Sequence, residues 1–327
     1  MSPVSRYAFV NSRIHGMMAK AYFGDRLKTL LRYKSILDAA KALYPKAQDA
    51  PSPGLVETSA LEARVHQDSV DCLIGIMGRL ESPEALLIHL LRAYEIQNIK
   101  NWLRARAQGS QAGRYWQLGR FATLEFSGAA PDFGSGEYAW LKARLDESEI
   151  FPLELELDRR YYARLEDLAD ALRGTDRRAV HPLVTLETFL GGLVWMLRLR
   201  SYFKKLPEEL ESLGIPQRDA AYREALQRAV HLPLDDLGAW RNWRYFWLLR
   251  SQDNPDFRTL DPGQVETTAR AHLFRKYRLG FNRNLFTLGP LFCFFRLKES
   301  EASLVQSVLE GIHMGLSEED LLPLMGQ

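Results

Sequence analysis

The sequence predicts an all-α protein, and three observations carry that expectation. Apolar residues recur at spacings of three and four along most of the chain, the period of one helix face. Several segment starts carry helix-cap chemistry. Leu153-Glu154-Leu155-Glu156-Leu157 alternates with period two and in isolation reads as a short strand, but the helical pattern that begins at Asp158 favours a helix there as well.

The starts come first. Ser82-Pro83-Glu84 places a hydroxyl at an N-cap, a proline at the first helical position and a carboxylate near the positive end of the dipole. Asp261-Pro262-Gly263-Gln264 repeats the device, with Gln264 where a capping box wants it. Ser317-Glu318-Glu319-Asp320 offers a third cap before Leu321 and Leu322. Breaks are expected where proline, glycine and small polar residues cluster: Lys46–Gly54, Ala107–Gly136, Gly174–Pro182 and Ser251–Gly263. The second is the longest and holds Trp116, Phe121 and Phe126 among glycines, which predicts an ordered, irregular connection.

In the helix after Ser82, Leu87, Leu91, Tyr94, Asn98 and Trp102 fall on one line that should face the interior. Asn98 is then either a buried polar residue that needs hydrogen-bond partners or a half-exposed residue at the edge of the stripe. From Glu84 to Arg106 this helix would be about 34 Å long. A related segment spans Leu183–Leu206, where Glu187 is followed by an apolar run to Leu197. Both helices end in Leu-Arg-x-Arg just after a tryptophan, at Arg104/Arg106 and Arg198/Arg200, with Arg104 and Arg198 94 positions apart. A third candidate begins at Phe294 and runs through Leu304, Val308 and Ile312 without the Arg-x-Arg ending. Self-similarity at a fixed period marks repeated modules, and the expected division is 1–110, 111–207 and 208–327.

Composition narrows the function. The 327 residues include 43 Lys+Arg and 41 Asp+Glu, a net charge of +2, with 46% hydrophobic residues. That is a folded chain, long enough for two or three domains and without the basic excess of a generic nucleic-acid binder. The start lacks the apolar stretch of a secretory signal. The longest apolar runs, Phe189–Leu197 and Leu285–Phe295, fall short of the roughly 20 residues that span a bilayer. A soluble, cytoplasmic chain is expected. Cys72 and Cys293 are far apart and lie in no CxxC motif, which reads as two buried thiols.

Catalytic constellations are sparse. The seven histidines, His15, His66, His89, His181, His231, His272 and His313, make no HExxH or comparable metal spacing. There is no GxxxxGK[ST] loop and no GxSxG elbow, and Ala130–Glu137 reads as a turn. Asp235-Asp236 and Asp167/Asp170 are paired acids without a second acidic motif on a facing helix. Trp240-Arg241-Asn242-Trp243-Arg244-Tyr245-Phe246-Trp247 interleaves aromatics with arginine as a base-stacking surface does. At helical spacing, however, Trp240, Trp243 and Trp247 form one apolar line, which favours core packing with arginines at the edge. No catalytic residue, metal or cofactor is expected.

The repeats and both ends of the chain resemble the C subunit of the bacterial and archaeal V-type ATPase/ATP synthase, the counterpart of the d subunit of the eukaryotic V-ATPase. The resemblance is carried by Tyr7–Met17, with Arg13, and by Glu95-Ile96-Gln97-Asn98-Ile99-Lys100-Asn101-Trp102-Leu103-Arg104-Ala105-Arg106. Leu157–Leu165 is similar to the start of the family's middle module, in which Glu187, Arg198 and Arg200 follow, and Glu299, Glu301, Gly311 and Gly315–Glu319 resemble its closing helix and tail. Gly192 stands at the middle module's asparagine position, and Leu304 and Gln306 at the last module's Asn and Arg positions; these departures suggest hydrophobic packing in place of the polar residues.

The resemblance implies three similar helical modules in a pseudo-threefold funnel. The funnel would be a non-catalytic rotor component that caps the membrane ring on its cytoplasmic face, receives the shaft made by the D and F subunits, and passes torque between them for ion transport. Local basic clusters, Arg198/Arg200/Lys204/Lys205 and Arg275/Lys276/Arg278, are candidate contacts to acidic partner surfaces. A helical-repeat adaptor and an RNA-binding helical module are the alternatives.

Overall fold

The computed structural model describes residues 3–45, 58–110, 113–126, 131–146, 149–249, 260–319 and 321. The expected break at Lys46–Gly54, most of that at Ser251–Gly263, and Arg250 and Asp320 lie outside the described residues. Among the described residues every regular element is helical. The α-helices in chain order are α1 (Pro3–Met18), α2 (Asp25–Leu31), α3 (Ile36–Leu43), α4 (Thr58–Met77), α5 (Ala85–Gln108), α6 (Ala139–Lys142), α7 (Phe151–Ala171), α8 (Gly174–Tyr202), α9 (Pro207–Leu213), α10 (Ala220–His231), α11 (Pro262–Phe281) and α12 (Leu288–His313). The all-α expectation holds.

The chain divides into two compact units. One comprises the described parts of Met1–Pro83, Arg114–Ala122 and Tyr277–Gln327. Its axis is α12, against which α1, α2, α3 and α4 pack. Leu288 to Phe295 is buried without interruption, so the first two turns of α12 are apolar all round, as befits a helix enclosed by others. Thr287 caps it, its Oγ1 accepting from the Gly289 N–H at 3.2 Å. Further along, Val305, Val308, Leu309 and Ile312 meet Leu27, Leu30 and Leu31 of α2 and Ala39 and Ala40 of α3. Leu321 lies so close to Gly311 that any Cβ there would collide with it. The connection at residues 114–122 joins this unit through the Trp116 ring, 5.6 Å from that of His66.

The other unit comprises Glu84–Gly113 and the described parts of Thr123–Lys276. In it α7 packs against both α5 and α8, α10 packs on α8, and α9 packs on α10. Phe189, Leu193 and Leu197 of α8 form one core with Trp240, Trp243, Leu248, Val265 and Ala269. The interior line expected on α5 is present: Leu87, Leu91, Tyr94 and Asn98 are buried, and Trp102 is half-buried with its ring 5.5 Å from Phe133. At 24 residues the helix is about 36 Å long.

Several local expectations need correction. The N-cap of α5 is Glu84, in an extended conformation and without a side-chain cap bond of its own, two residues beyond the position expected at Ser82. The break at Gly174–Pro182 is instead the start of α8, with Pro182 inside the helix. Proline removes one helical hydrogen bond, but Val180 and Val184 on either side are fully buried, and their burial holds the helix together. Leu153–Leu157, in contrast, is helical as favoured, part of α7. The tryptophan-rich segment is not one α-helix. Two 3₁₀ turns, Leu237–Trp240 and Phe246–Leu249, bend it, so Trp240 and Trp243 are buried while Trp247 is 39% exposed. By contrast, Asp261 and Pro262 start α11 as read: Asp261 Oδ1 accepts from the Gly263 N–H at 2.9 Å, and Pro262 is the first residue of the helix.

Among the described residues one helix, α8, is long and apolar enough to cross a membrane by length and composition, and 61% of its most apolar stretch is buried inside the protein. The run of nine apolar residues read from the sequence understated it, because on its N-terminal side the helix continues through Ala179–Thr188, where Glu187 is the one acidic or basic residue besides His181.

Candidate functional site

The residues singled out from the sequence cluster on the helices that hold each unit together. On α5, the Glu95 carboxylate is fully buried and gathers the connection that follows the helix. The Thr123 N–H donates to it at 2.5 Å, the Thr123 hydroxyl at 2.7 Å and the Leu124 N–H at 3.1 Å, while Arg92 Nη1 pairs with it at 3.1 Å. A charged acceptor satisfying several donors is the form in which a buried carboxylate is stable. Asn98, one turn further on, is 2% exposed, which settles the two readings of that position in favour of the buried one.

Lys100 and Arg104 lie four residues apart and meet two acids that are four apart in reverse order on α7. Lys100 Nζ donates to both Asp158 oxygens, at 2.6 and 2.7 Å. Arg104 makes a bidentate pair with Glu154, at 2.6 and 2.8 Å. The reversed order makes α5 and α7 antiparallel, laced by a two-rung charge ladder. Burial raises the Asp158 carboxyl above its usual range even though Lys100 acts to lower it. The hydrogen bond to Glu154 raises Arg104. Arg106 is exposed and reaches Asp146 at 3.5 Å.

The corresponding arginines on α8 act in the same manner. Arg198 pairs with Glu266 of α11. Arg200 donates to the carbonyls of Ala229, at 3.0 Å, and Leu232, at 2.8 Å, so it caps the end of α10; burial lowers its pKa. Glu187 is buried. At Gly192, a Cβ would lie 2.9 Å from Gln217 Nε2, which donates to the Thr188 carbonyl at 3.0 Å. Leu226 Cδ1 and Ile215 Cβ lie 3.4 and 3.7 Å from the same point, so the space beside Gly192 is shared by an amide from another segment and by the apolar packing expected there. On α12, Leu304 does pack against the apolar core, but Gln306 Oε1 bonds His66 Nε2 at 2.7 Å.

In the α12 unit, Glu301 Oε1 accepts from the Tyr22 N–H at 2.8 Å, and its other oxygen pairs with Lys298. Glu299 pairs with Arg296 at 2.8 Å. Arg13 is exposed. Cys72 is half-buried and Cys293 buried; burial pushes the Cys293 thiol up to about 12 and raises Cys72, which makes both poor nucleophiles. Among the described residues no group of three His, Cys, Asp or Glu side chains is arranged to hold a metal ion.

The candidate partner contacts divide by exposure. Lys204, Arg275, Lys276 and Arg278 are exposed, and half-buried Lys205 pairs with Glu209 at 2.8 Å. Lys204 and Lys205 sit beside Tyr202, Phe203 and Leu206, which are 62%, 50% and 61% exposed. Sequence reasoning names the cations here but misses this apolar company. It also misses Glu154, Asp158, Glu266 and Gln217 as partners, although the matched four-residue spacing of 100/104 and 154/158 is a readable signal.

Residues 10–322 match the family model described as ATP synthase (C/AC39) subunit. An uncharacterized protein of Treponema pallidum is 28% identical over 320 residues, covering 94% of this chain and 92% of that protein. The C subunit of the A-type ATP synthase of Methanosarcina mazei is 24% identical over 252 residues, covering 72% of this chain and 68% of its own length. The protein of that name from Methanosarcina barkeri is 23% identical over the same length.

Proposed function

The chain belongs to the ATP synthase (C/AC39) subunit family, non-catalytic accessory subunits of a membrane-associated rotary ATPase, and from that premise we propose that it couples the central shaft to the membrane rotor ring. In this reading it sits peripherally on the cytoplasmic face, binds the shaft made by the D and F subunits on one side and the ring on the other, and transmits torque for ion transport. Three similar helical modules around a pseudo-threefold axis would form the receiving funnel.

The observation that carries the reading is the family match over residues 10–322. The physical arrangement supports it. A coupling must transmit force without yielding, and packed interiors deform little. Several of the residues that carry the family resemblance are spent on bonds between segments: Glu95 on the connection, Lys100 and Arg104 on α7, Arg198 on α11 and Arg200 on the end of α10. The exposed apolar residues Tyr202, Phe203 and Leu206 beside Lys204 have the composition of a protein contact. Base stacking by the tryptophan-rich segment is disfavoured, because Trp240 and Trp243 are buried and donate their ring N–H groups to the carbonyls of Pro233 and Ala225.

The test is a pull-down of the purified chain with a purified D–F complex and, separately, with isolated rings. Association with both supports the coupling role. Failure to associate with either removes it.

A further inference from the structure

We propose that the cleft formed by α7, α8 and the segment that precedes α10 is a binding site for a primary ammonium group, presented by a small alkylamine or by a lysine side chain. The cleft has a volume of about 210 Å³ and is lined by Glu166, Asp170, His181, Thr185, Arg218 and Asp219. It takes no part in the coupling role proposed above.

Glu166 carries the argument. Its side chain is on the cleft wall, yet the residue is only 2% exposed. One oxygen accepts from the Arg218 N–H at 3.3 Å, and the other, Oε1, is buried with no hydrogen-bond partner. Two more buried side-chain oxygens without donors, Thr188 Oγ1 and Gln217 Oε1, belong to the same elements. A buried carboxylate oxygen left without a donor is costly, and burial holds this carboxyl at about 7. A donor supplied from outside the chain would relieve both effects.

The neighbouring groups say what kind of donor. Asp170 is already engaged by Arg177 at 3.1 Å, His181 at 3.0 Å and Arg218 at 3.5 Å, and Arg218 also pairs with Asp167. Asp219 Oδ1 caps α10 at the Tyr222 N–H, 3.0 Å away. On the cleft wall three carboxylates, Glu166, Asp170 and Asp219, thus meet one guanidinium group, that of Arg218, and the imidazole of His181. A water molecule would supply hydrogen bonds but not the missing positive charge. An ammonium supplies both: its three N–H donors match the acceptors that line the cleft, Glu166 Oε1, the Thr185 hydroxyl and the Asp219 carboxylate. A divalent metal fits poorly, since no three ligating side chains among the described residues are arranged for one.

The experiment is isothermal titration of the full chain with propylammonium chloride at pH 8, against tetramethylammonium chloride and sodium chloride at equal ionic strength. Saturable binding of propylammonium only is expected, and Glu166→Gln should weaken it by about tenfold or more, the loss of a charged hydrogen bond. Thr185→Val, a milder change, should weaken it while leaving the helix content intact. Binding should also fall about tenfold from pH 8 to pH 6, because protonated Glu166 no longer offers a free charged acceptor. The charged and titratable groups facing it are Asp167 and Asp170 on α7, Arg177 and His181 on α8, and Arg218 and Asp219 on the third segment. His181→Asn should keep the pH dependence. Equal binding of Nα-acetyl-lysine amide assigns the site to a lysine side chain, and binding of propylammonium alone assigns it to a small amine. No saturable heat, equal heats with tetramethylammonium or sodium, unchanged binding in Glu166→Gln and Thr185→Val, or a pH dependence that disappears in His181→Asn would each overturn the proposal.

Discussion

Glu95 shows how one side chain organises more than its own helix. Its carboxylate holds two consecutive backbone N–H groups, at Thr123 and Leu124, and hydrogen bonds to a charged group contribute about 1.5–3 kcal/mol each. Glu95→Gln is therefore expected to cost about 2 kcal/mol in urea unfolding and to speed amide exchange at Thr123 and Leu124 above that of the α5 backbone; unchanged exchange at those two amides would refute the assignment. The two close glycines make a paired comparison. At Gly192 an alanine gains about 1 kcal/mol of helix propensity and displaces the flexible Gln217 amide, whose lost bond costs about the same, so Gly192→Ala should lie within about 1 kcal/mol of the parent. At Gly311 the obstacle is the buried Leu321 side chain, whose exposure costs about 1.5–3 kcal/mol, so Gly311→Ala should be the more destabilising of the two by thermal melting. The reverse order would contradict the packing described. The place of Asn98 on an apolar line was readable, though not whether the line's edge or its centre held it, whereas Gln217 was not readable at all, because nothing local in a loop residue announces which distant helix it will touch.

At the scale of elements, the α5–α7 ladder makes a graded prediction. The Lys100–Asp158 rung is the more enclosed, with side-chain exposures of 8% and 31%, while Arg104 is 53% exposed. Screening leaves an exposed pair about 0.2–1 kcal/mol, whereas breaking a buried pair from one side costs about 3 kcal/mol or more. Double-mutant cycles with Lys100→Met and Asp158→Leu, and with Arg104→Met and Glu154→Leu, should therefore give the larger coupling for the first rung; equal couplings would contradict the burial difference. Helix existence and facing were legible because periodicity is a local signal: Leu87, Leu91 and Tyr94 point inward as their spacing dictates. Where local rules were outvoted, tertiary burial did it. Pro182 sits inside α8 between two fully buried valines, and the tryptophan segment bends into 3₁₀ turns so that Trp240 and Trp243 enter the core while Trp247 does not. The ladder itself was half legible: the four-residue spacing was in the sequence at both ends, but pairing residues 50 and 58 positions apart needs the packing of α5 on α7.

At the scale of the whole molecule, the chain combines a small net charge of +2 with ionic residues, among them Lys100, Arg104 and Arg198, that pair across helices. Family membership was legible because it is spread over many weak matches along the chain, from Tyr7 to the acidic tail, rather than resting on one motif. The coupling role makes one demand that no adaptor or nucleic-acid-binding module shares. In vesicles reconstituted with the complete rotary complex, omission of this chain should abolish ATP-driven ion uptake while ATP hydrolysis by the catalytic subunits persists, and adding the purified chain back should restore uptake. Ion uptake that proceeds undiminished without the chain would contradict the account.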